Sequence, residues 1–181
     1  AYVSFPQRRK GLAKTQGNWV EDGKGVRMST ELVETWNIHD RINRYLLNSL
    51  PGEALVCVSA SKGRTVGEQF AHIHNVRLMW LKQAAPALLE GLSKLEKGAA
   101  MSVESLSTAL EASGAAIAQL IADRQADGAR VKGFKPHTTA FVGYLISHES
   151  HHRGQIVLTL KQAGHPVDKK TAFGLWEWGS R

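Results

Sequence analysis

Histidines carry the first chemical signal in this sequence. Five of the eight fall in two short segments, His72 and His74 in one and His148, His151 and His152 in the other. Neutral imidazole is the commonest protein ligand for zinc, nickel, copper and ferrous iron. At about 100° per helical residue, positions 148 and 152 are offset by only about 40° and stand one turn apart, so both rings can aim at one ion. His151 and His152 diverge by about 100° and cannot easily share it. Phe141, Leu145, His148, His152, Ile156 and Thr159 recur at three- and four-residue steps, which predicts a single stripe turned toward the interior of a helical bundle. Two imidazoles side by side in a core are hard to protonate together, and a divalent ion takes the place of the protons. A hydrogen-bonded core pair is the competing reading. The second cluster on another segment favours the metal.

Catalytic metal sites typically use three protein ligands plus water, so a third donor is needed. His72 and His74 point about 160° apart on one helix, so at most one of them can serve, and the apolar periodicity does not choose between them. The run His148-Glu149-Ser150-His151-His152 also satisfies the H-E-x-x-H pattern of zinc proteases, in which the glutamate is a general base. The longer metzincin pattern fails, because Gln155 and Leu158 stand where glycine and histidine are required. Glu177 is the one downstream carboxylate considered as a ligand, and no strand precedes the helix to hold a peptide. A metalloprotease is therefore the lesser alternative. Glu149 is expected instead on the helix surface or behind the ligands, paired with Arg153 four residues on.

The elements that must position these residues read as helices. Leu32, Val33, Trp36, Ile42, Tyr45, Leu46 and Leu50 share one face of a first helix from Thr30, ended by Pro51-Gly52. His39 lies on that face as an expected interior, hydrogen-bonded residue. Thr65, with Glu68 three residues on, predicts a capping box that opens a second helix to about Gln83, with Pro86 near its end. Ser102–Ala126, closed by Asp127-Gly128, forms a third. Thr138 or Thr139 opens a fourth, running through Leu160 to a stop at Gly164. Only Leu55 to Ser59 could be extended, so the expected fold is all-α, a four-helix bundle with long connections.

A chain of 181 residues holds one domain with a substantial core. No stretch approaches the roughly 20 apolar residues of a membrane span, and the first residues lack the apolar core of a secretory signal, which predicts a cytoplasmic protein. The one cysteine, Cys57, cannot form an internal disulfide, in keeping with a reducing compartment. The net charge of +7 is concentrated at the start. Residues 1–27 carry Arg8, Arg9, Lys10, Lys14, Lys24 and Arg27 against Glu21 and Asp22, and the rest is nearly balanced. That placement argues against a nucleic-acid partner. Met28-Ser-Thr-Glu reads like a natural start, so residues 1–27 are expected to be a basic extension and 28–181 the domain.

With TVGEQFAHIHNVRLMWL and LISHESHHRGQIVLTLKQAGHP in view, the chain resembles the DinB/YfiT-like family of metal-dependent four-helix-bundle proteins from about Ser29 to Trp178. A histidine, three residues, then HRGQ and a Leu-rich turn to glycine is the more specific part; FGLWEWGSR resembles the family's C-terminal segment. The resemblance implies that His72 joins His148 and His152 as a three-histidine site with open positions, and that His74 is a neighbour. Imidazole donors accept a divalent ion, zinc or nickel expected first, with iron or manganese as alternatives. The resemblance also implies a metal-dependent hydrolase or a thiol-dependent transferase acting on a small molecule, in places with a low-molecular-weight thiol. Glu149, His151 and Arg153 are then the candidate proton-transfer or anion-holding groups. The competing expectation is a stress-associated metal-binding or interaction protein without turnover. Trp36, Trp80, Trp176 and Trp178 are expected as core or subunit contacts, and a homodimer is expected from the apolar flanks of a short bundle.

Overall fold

Start and stop signals in the chain translate directly into elements. The computed structural model describes residues 31–181, so the basic extension expected at residues 1–27 lies outside the described residues. Within them run α1 (Glu31–Asn48), α2 (Val66–Ala84), α3 (Val103–Ala126), α4 (Thr138–Gln162) and the short α5 (Lys169–Gly174). Single 3-10 turns occur at Gly52–Val56, Pro86–Leu89 and Trp178–Ser180. The four long helices form the expected all-α bundle, and α5 packs part of the C-terminal tail beside it. Among the described residues there is no strand. Val58 and Thr65 make one isolated antiparallel bridge, and Leu55 and Val56, expected as a possible extended stretch, belong to a 3-10 turn.

The caps explain where helices begin. Thr65 Oγ1 accepts the Glu68 amide at 3.1 Å, and Glu68 Oε2 accepts the Thr65 amide at 2.9 Å, the reciprocal box that satisfies two orphan donors. Helix α4 opens differently from expectation. His137 is the cap, its Nδ1 accepting the Ala140 amide at 3.2 Å, and Thr138 is already helical. An imidazole nitrogen supplies the acceptor that the threonines were expected to give. At the other ends, Gly128 (φ 65) and Gly164 (φ 84) take the left-handed conformation that terminates α3 and α4.

Two apolar layers fill the bundle. Leu46, Leu50, Phe70, Ile73, Leu110, Ile156 and Leu160 make one, and Trp36, Leu81, Ile117, Leu120, Phe141 and Leu145 the other. Between these layers every long helix buries polar or small residues, with Ile42 and Leu78 beside them: His39, Asp40 and Asn43 on α1, Arg77 on α2, Ser113 and Gly114 on α3, Glu149 on α4. Arg77 has no exposed surface and sits at the hub. Its Nε and Nη2 donate to Glu149 Oε1 and Oε2 at 2.8 and 2.7 Å, and Nη1 donates to Asp40 Oδ1 at 2.7 Å and to the Leu110 carbonyl at 2.9 Å. The guanidinium also lies 4.9 Å from the Trp36 ring centroid. Gly114 is required here, because a Cβ on it would fall 2.6 Å from Asp40 Oδ1. Its carbonyl accepts Trp36 Nε1–H at 2.9 Å, so an α1 side chain reaches the α3 backbone. Among the described residues no helix is long and apolar enough to cross a membrane.

Candidate metal centre

Helices α2 and α4 run antiparallel in the bundle, and at mid-length they bring three imidazoles together. His72, His148 and His152 each offer one ring nitrogen, and the three nitrogens lie within 4.8 Å of one another. The two on α4 are closest, Nε2 to Nε2 at 3.2 Å. His72 meets both rings from across the groove, its centroid 5.4 Å from His148 and 4.7 Å from His152. His152 is buried, whereas His72 and His148 are half-buried. The α4 stripe thus turns inward at Phe141, Leu145, His152, Ile156 and Thr159, but His148, expected in the interior, stands at the rim. That leaves one side of the cluster open.

Electrostatics keep these rings neutral. Burial pushes His152 down to about 4, and His148, His72 and His151 add to the effect while Gln155 partly offsets it. His72 is lowered by burial, then by Arg64 and His148. His148 is lowered by burial, opposed by Glu149 and reinforced by His151 and Arg64. Neutral imidazole is the form that ligates. Four-coordinate zinc with nitrogens at about 2.0–2.1 Å holds neighbouring donors about 3.3 Å apart, close to the His148–His152 spacing. Nδ1 of each of these two histidines is buried without a hydrogen-bond partner, so the Nε2 atoms are the ones turned toward each other. Donor type, the His148–His152 spacing and the neutral state favoured by burial fit a divalent ion.

His74 has a different fate. It is buried, with Nδ1 3.0 Å from the Ala109 carbonyl and Nε2 3.0 Å from the Ser93 carbonyl. Asn75 continues the strap, donating to the Leu95 carbonyl at 2.8 Å and accepting the Leu95 amide at 3.0 Å. Residues 93–95 are therefore held onto α2, and His74 is occupied in holding them. The choice that periodicity left open falls to His72.

Glu149 corrects a second expectation. It is neither on the helix surface nor paired with Arg153. It is buried and takes both bonds from Arg77, a third from Asn43 Nδ2 at 2.7 Å, and a contact with His39 Nε2 at 2.9 Å. Burial alone would raise its carboxyl, but the Arg77 guanidinium beside it wins and lowers it to about 2. Arg153 turns instead to Asn43 Oδ1 at 2.6 Å and Ser150 Oγ at 3.0 Å. His151 is exposed, its ring 5.3 Å from that of His152. His39 is the interior, hydrogen-bonded residue expected, though its Nδ1 has no partner. Glu177, the glutamate weighed for a protease, is exposed at the chain end and bonds Arg181 at 3.3 Å.

Several neighbours were not visible in the sequence. Tyr144 lies nearly parallel to His148 at 6.2 Å and continues into Trp80, Phe134 and Phe141 through edge-on and tilted ring contacts. On the other side of His72 a cleft of about 430 Å³ opens, with Arg64, Asn75 and Lys97 in its walls. Asp40, Asn43 and Arg77 left one signal: polar residues at helical spacing that continue the apolar faces of α1 and α2.

A helical bundle that gathers three imidazole nitrogens from two helices into one half-open cluster has the framework of a metal-binding protein. The chain belongs to the DinB family, whose family model matches residues 25–178. That match ends at Trp178, as the resemblance did, and begins within residues 1–27. No curated protein matches the chain.

Proposed function

We propose that this protein is a metal-dependent enzyme that acts on a small molecule as a hydrolase or thiol-dependent transferase, with His72, His148 and His152 holding a divalent ion. One observation carries the reading: three neutral-poised imidazole nitrogens from two helices within 4.8 Å of one another, open on one side. A divalent ion held there would supply Lewis acidity toward a carbonyl, or make a thiol or water more acidic. His72 and His148, half-buried, border the open side where a substrate would enter. His151, exposed beside His152, is the group placed to exchange a proton with solvent at that rim. Glu149 has no free oxygen for proton transfer; its role is to hold α4 against α2, with Arg153 tying the same helix to Asn43. That engagement also weighs against the metalloprotease alternative, which needs Glu149 as a free base.

The test is elemental analysis of the full chain purified without added metal, alongside His72→Ala, His148→Ala and His152→Ala. Turnover of esters and of thiol-conjugated substrates is then measured with and without chelator. About one equivalent of metal, lost in each variant, with chelator-sensitive turnover is the expected result. Metal without any turnover would favour the non-catalytic metal-binding protein. Metal content unaffected by all three substitutions would end the proposal.

A further inference from the structure

Among the described residues, the cleft beside His72 carries more positive than negative side chains. Five charged residues line it: Arg64, Glu68, Lys94, Glu96 and Lys97. Glu68 is engaged in the Thr65 capping box, and Glu96 is within 3.1 Å of Lys94. Among the described residues no carboxylate lies within ion-pair distance of Arg64 or Lys97. Arg64 is exposed, yet the backbone that carries it is fixed. Lys62 (φ 66) and Gly63 (φ 109) adopt left-handed conformations just before it, the Lys62 amide bonds the Ser59 carbonyl at 2.9 Å, and Ser59 Oγ bonds the Lys62 carbonyl at 3.0 Å. The Val58–Thr65 bridge and the Thr65 cap close the turn, and the Ala60 amide reaches Gln162 of α4 at 3.3 Å. A left-handed non-glycine residue in a pinned turn is a conformation that the surroundings must enforce.

Its place relative to the histidines makes the charge meaningful. Arg64 and His72 line the same cleft. A guanidinium next to a cluster suited to a divalent cation weakens that cluster's hold on the cation, an arrangement stabilised only when an anion sits near both. A guanidinium fork is the side chain best matched to a carboxylate or phosphate.

Resting on the proposed metal site, we propose that Arg64, with Lys97 in the same cleft, forms an anion subsite beside the three histidines, so that the substrate is a small molecule bearing a carboxylate or phosphate group held there. The neutral part of the substrate then extends toward the open side of His72 and His148. In the cleft wall Asn75 is spent on Leu95 and Lys94 is paired with Glu96, which leaves Arg64 and Lys97 as the cationic contacts.

The experiment uses the full chain loaded with cobalt(II), whose visible absorption reports on the metal's surroundings, with metal content checked first. Inorganic phosphate and succinate are titrated separately into wild type, Arg64→Gln, Arg64→Lys and Lys97→Gln, with calorimetry on the zinc-loaded protein in parallel. At least one anion is expected to bind wild type, about tenfold or more weaker in Arg64→Gln, with Arg64→Lys between the two. Arg64→Gln is also expected to bind metal as tightly as wild type or more tightly, because a repulsive charge has gone; a purely structural role would weaken metal binding as well. Phosphate binding alone points to a phosphoryl substrate, and succinate binding alone to a carboxylate. Equal affinity of both anions for wild type and Arg64→Gln overturns the subsite, as does no anion binding to metal-loaded wild type, and in both cases the metal centre stands. If no metal is taken up, the same titrations on metal-free protein decide: Arg64-dependent anion binding keeps the subsite, and its absence removes both proposals.

Discussion

Replacing Arg77 by methionine removes the one cation from a buried cluster that contains two carboxylates, Glu149 and Asp40. Asp40 keeps a partner in Arg44, whose Nε lies 3.0 Å from Oδ2. Among its described hydrogen-bond partners Glu149 keeps Asn43 and His39. Stranding one partner of a buried ion pair destabilises proteins by about 3–5 kcal/mol, a large share of the roughly 5–15 kcal/mol that holds a domain together. The loss has a pH signature. In the wild type the Glu149 carboxyl is lowered to about 2, so its contribution is complete above its ordinary value and fades only as pH falls toward 2. Without Arg77 the largest influence opposing burial is gone, and His39 and Asn43 offset burial only in part, so the carboxyl rises, the variant is helped by protonation and it loses stability as pH rises. Urea unfolding followed by circular dichroism, with chelator present and at pH 5 and pH 7, measures the difference. Comparing variant with wild type at each pH removes the contribution of histidines common to both. The expected deficit is about 3–5 kcal/mol at pH 7 and distinctly smaller at pH 5. A deficit under about 1 kcal/mol, or one equal at both pH values, would refute the assignment of the core to this ion pair.

Gly114→Ala forces a methyl group against Asp40, whose carboxylate is locked by Arg77 and Arg44 and cannot swing away; a loss of about 1–3 kcal/mol in urea unfolding is expected, and a neutral result would mean α1 and α3 can part freely. His74→Leu unstraps the Ser93 and Ala109 carbonyls, which should lower stability by about 1–3 kcal/mol and speed hydrogen exchange around Leu95 while metal content is retained. Because the cluster histidines are all lowered from their ordinary value, protons compete for the site only in acid. Metal affinity in a chelator competition should therefore persist to lower pH than ordinary imidazoles would allow and collapse as pH approaches about 4, the value of His152; a tenfold loss per pH unit from pH 7 downward would contradict the burial argument.

The parts of this protein set by local rules were legible from its residues. Helical spacing, the Thr65–Glu68 box and the glycines at 128 and 164 pointed to the four long helices, and the four-residue step from His148 to His152 pointed to the paired histidines. What failed to show depends on contacts distant along the chain. Glu149 with Arg153 four residues on has the form of a surface pair, and only α2 packing against α4 brings Arg77, 72 residues away, to claim the carboxylate. The choice of His72 over His74 required knowing that residues 93–95 fold back onto α2. The polar layer was hidden because hydrophobic periodicity counts apolar residues, and His39, Asp40, Asn43 and Arg77 interrupt that count while lying on the same faces.

The two chemistries of the bundle are linked by adjacency. His148 and Glu149 are neighbours on α4, about 100° apart around the helix, so one faces the groove and the other the core. His72 and Arg77, five residues apart on α2, diverge by about 140° and divide the same way between groove and core. The Arg77–Glu149 pair therefore clamps together, just behind the histidines, the two helices that supply them. Apolar side chains of similar volume could fill that space with equal or greater stability, so stability alone does not account for a charged pair there. An apolar contact tolerates sliding, whereas a two-bond guanidinium–carboxylate pair at 2.7 and 2.8 Å does not. A slip of α4 along α2 by one turn would separate His72 from His148 and His152, and it would also bury Glu149 without its partner. The ion pair penalises the displacement that would dismantle the cluster, which gives the buried charge a positional role in the site.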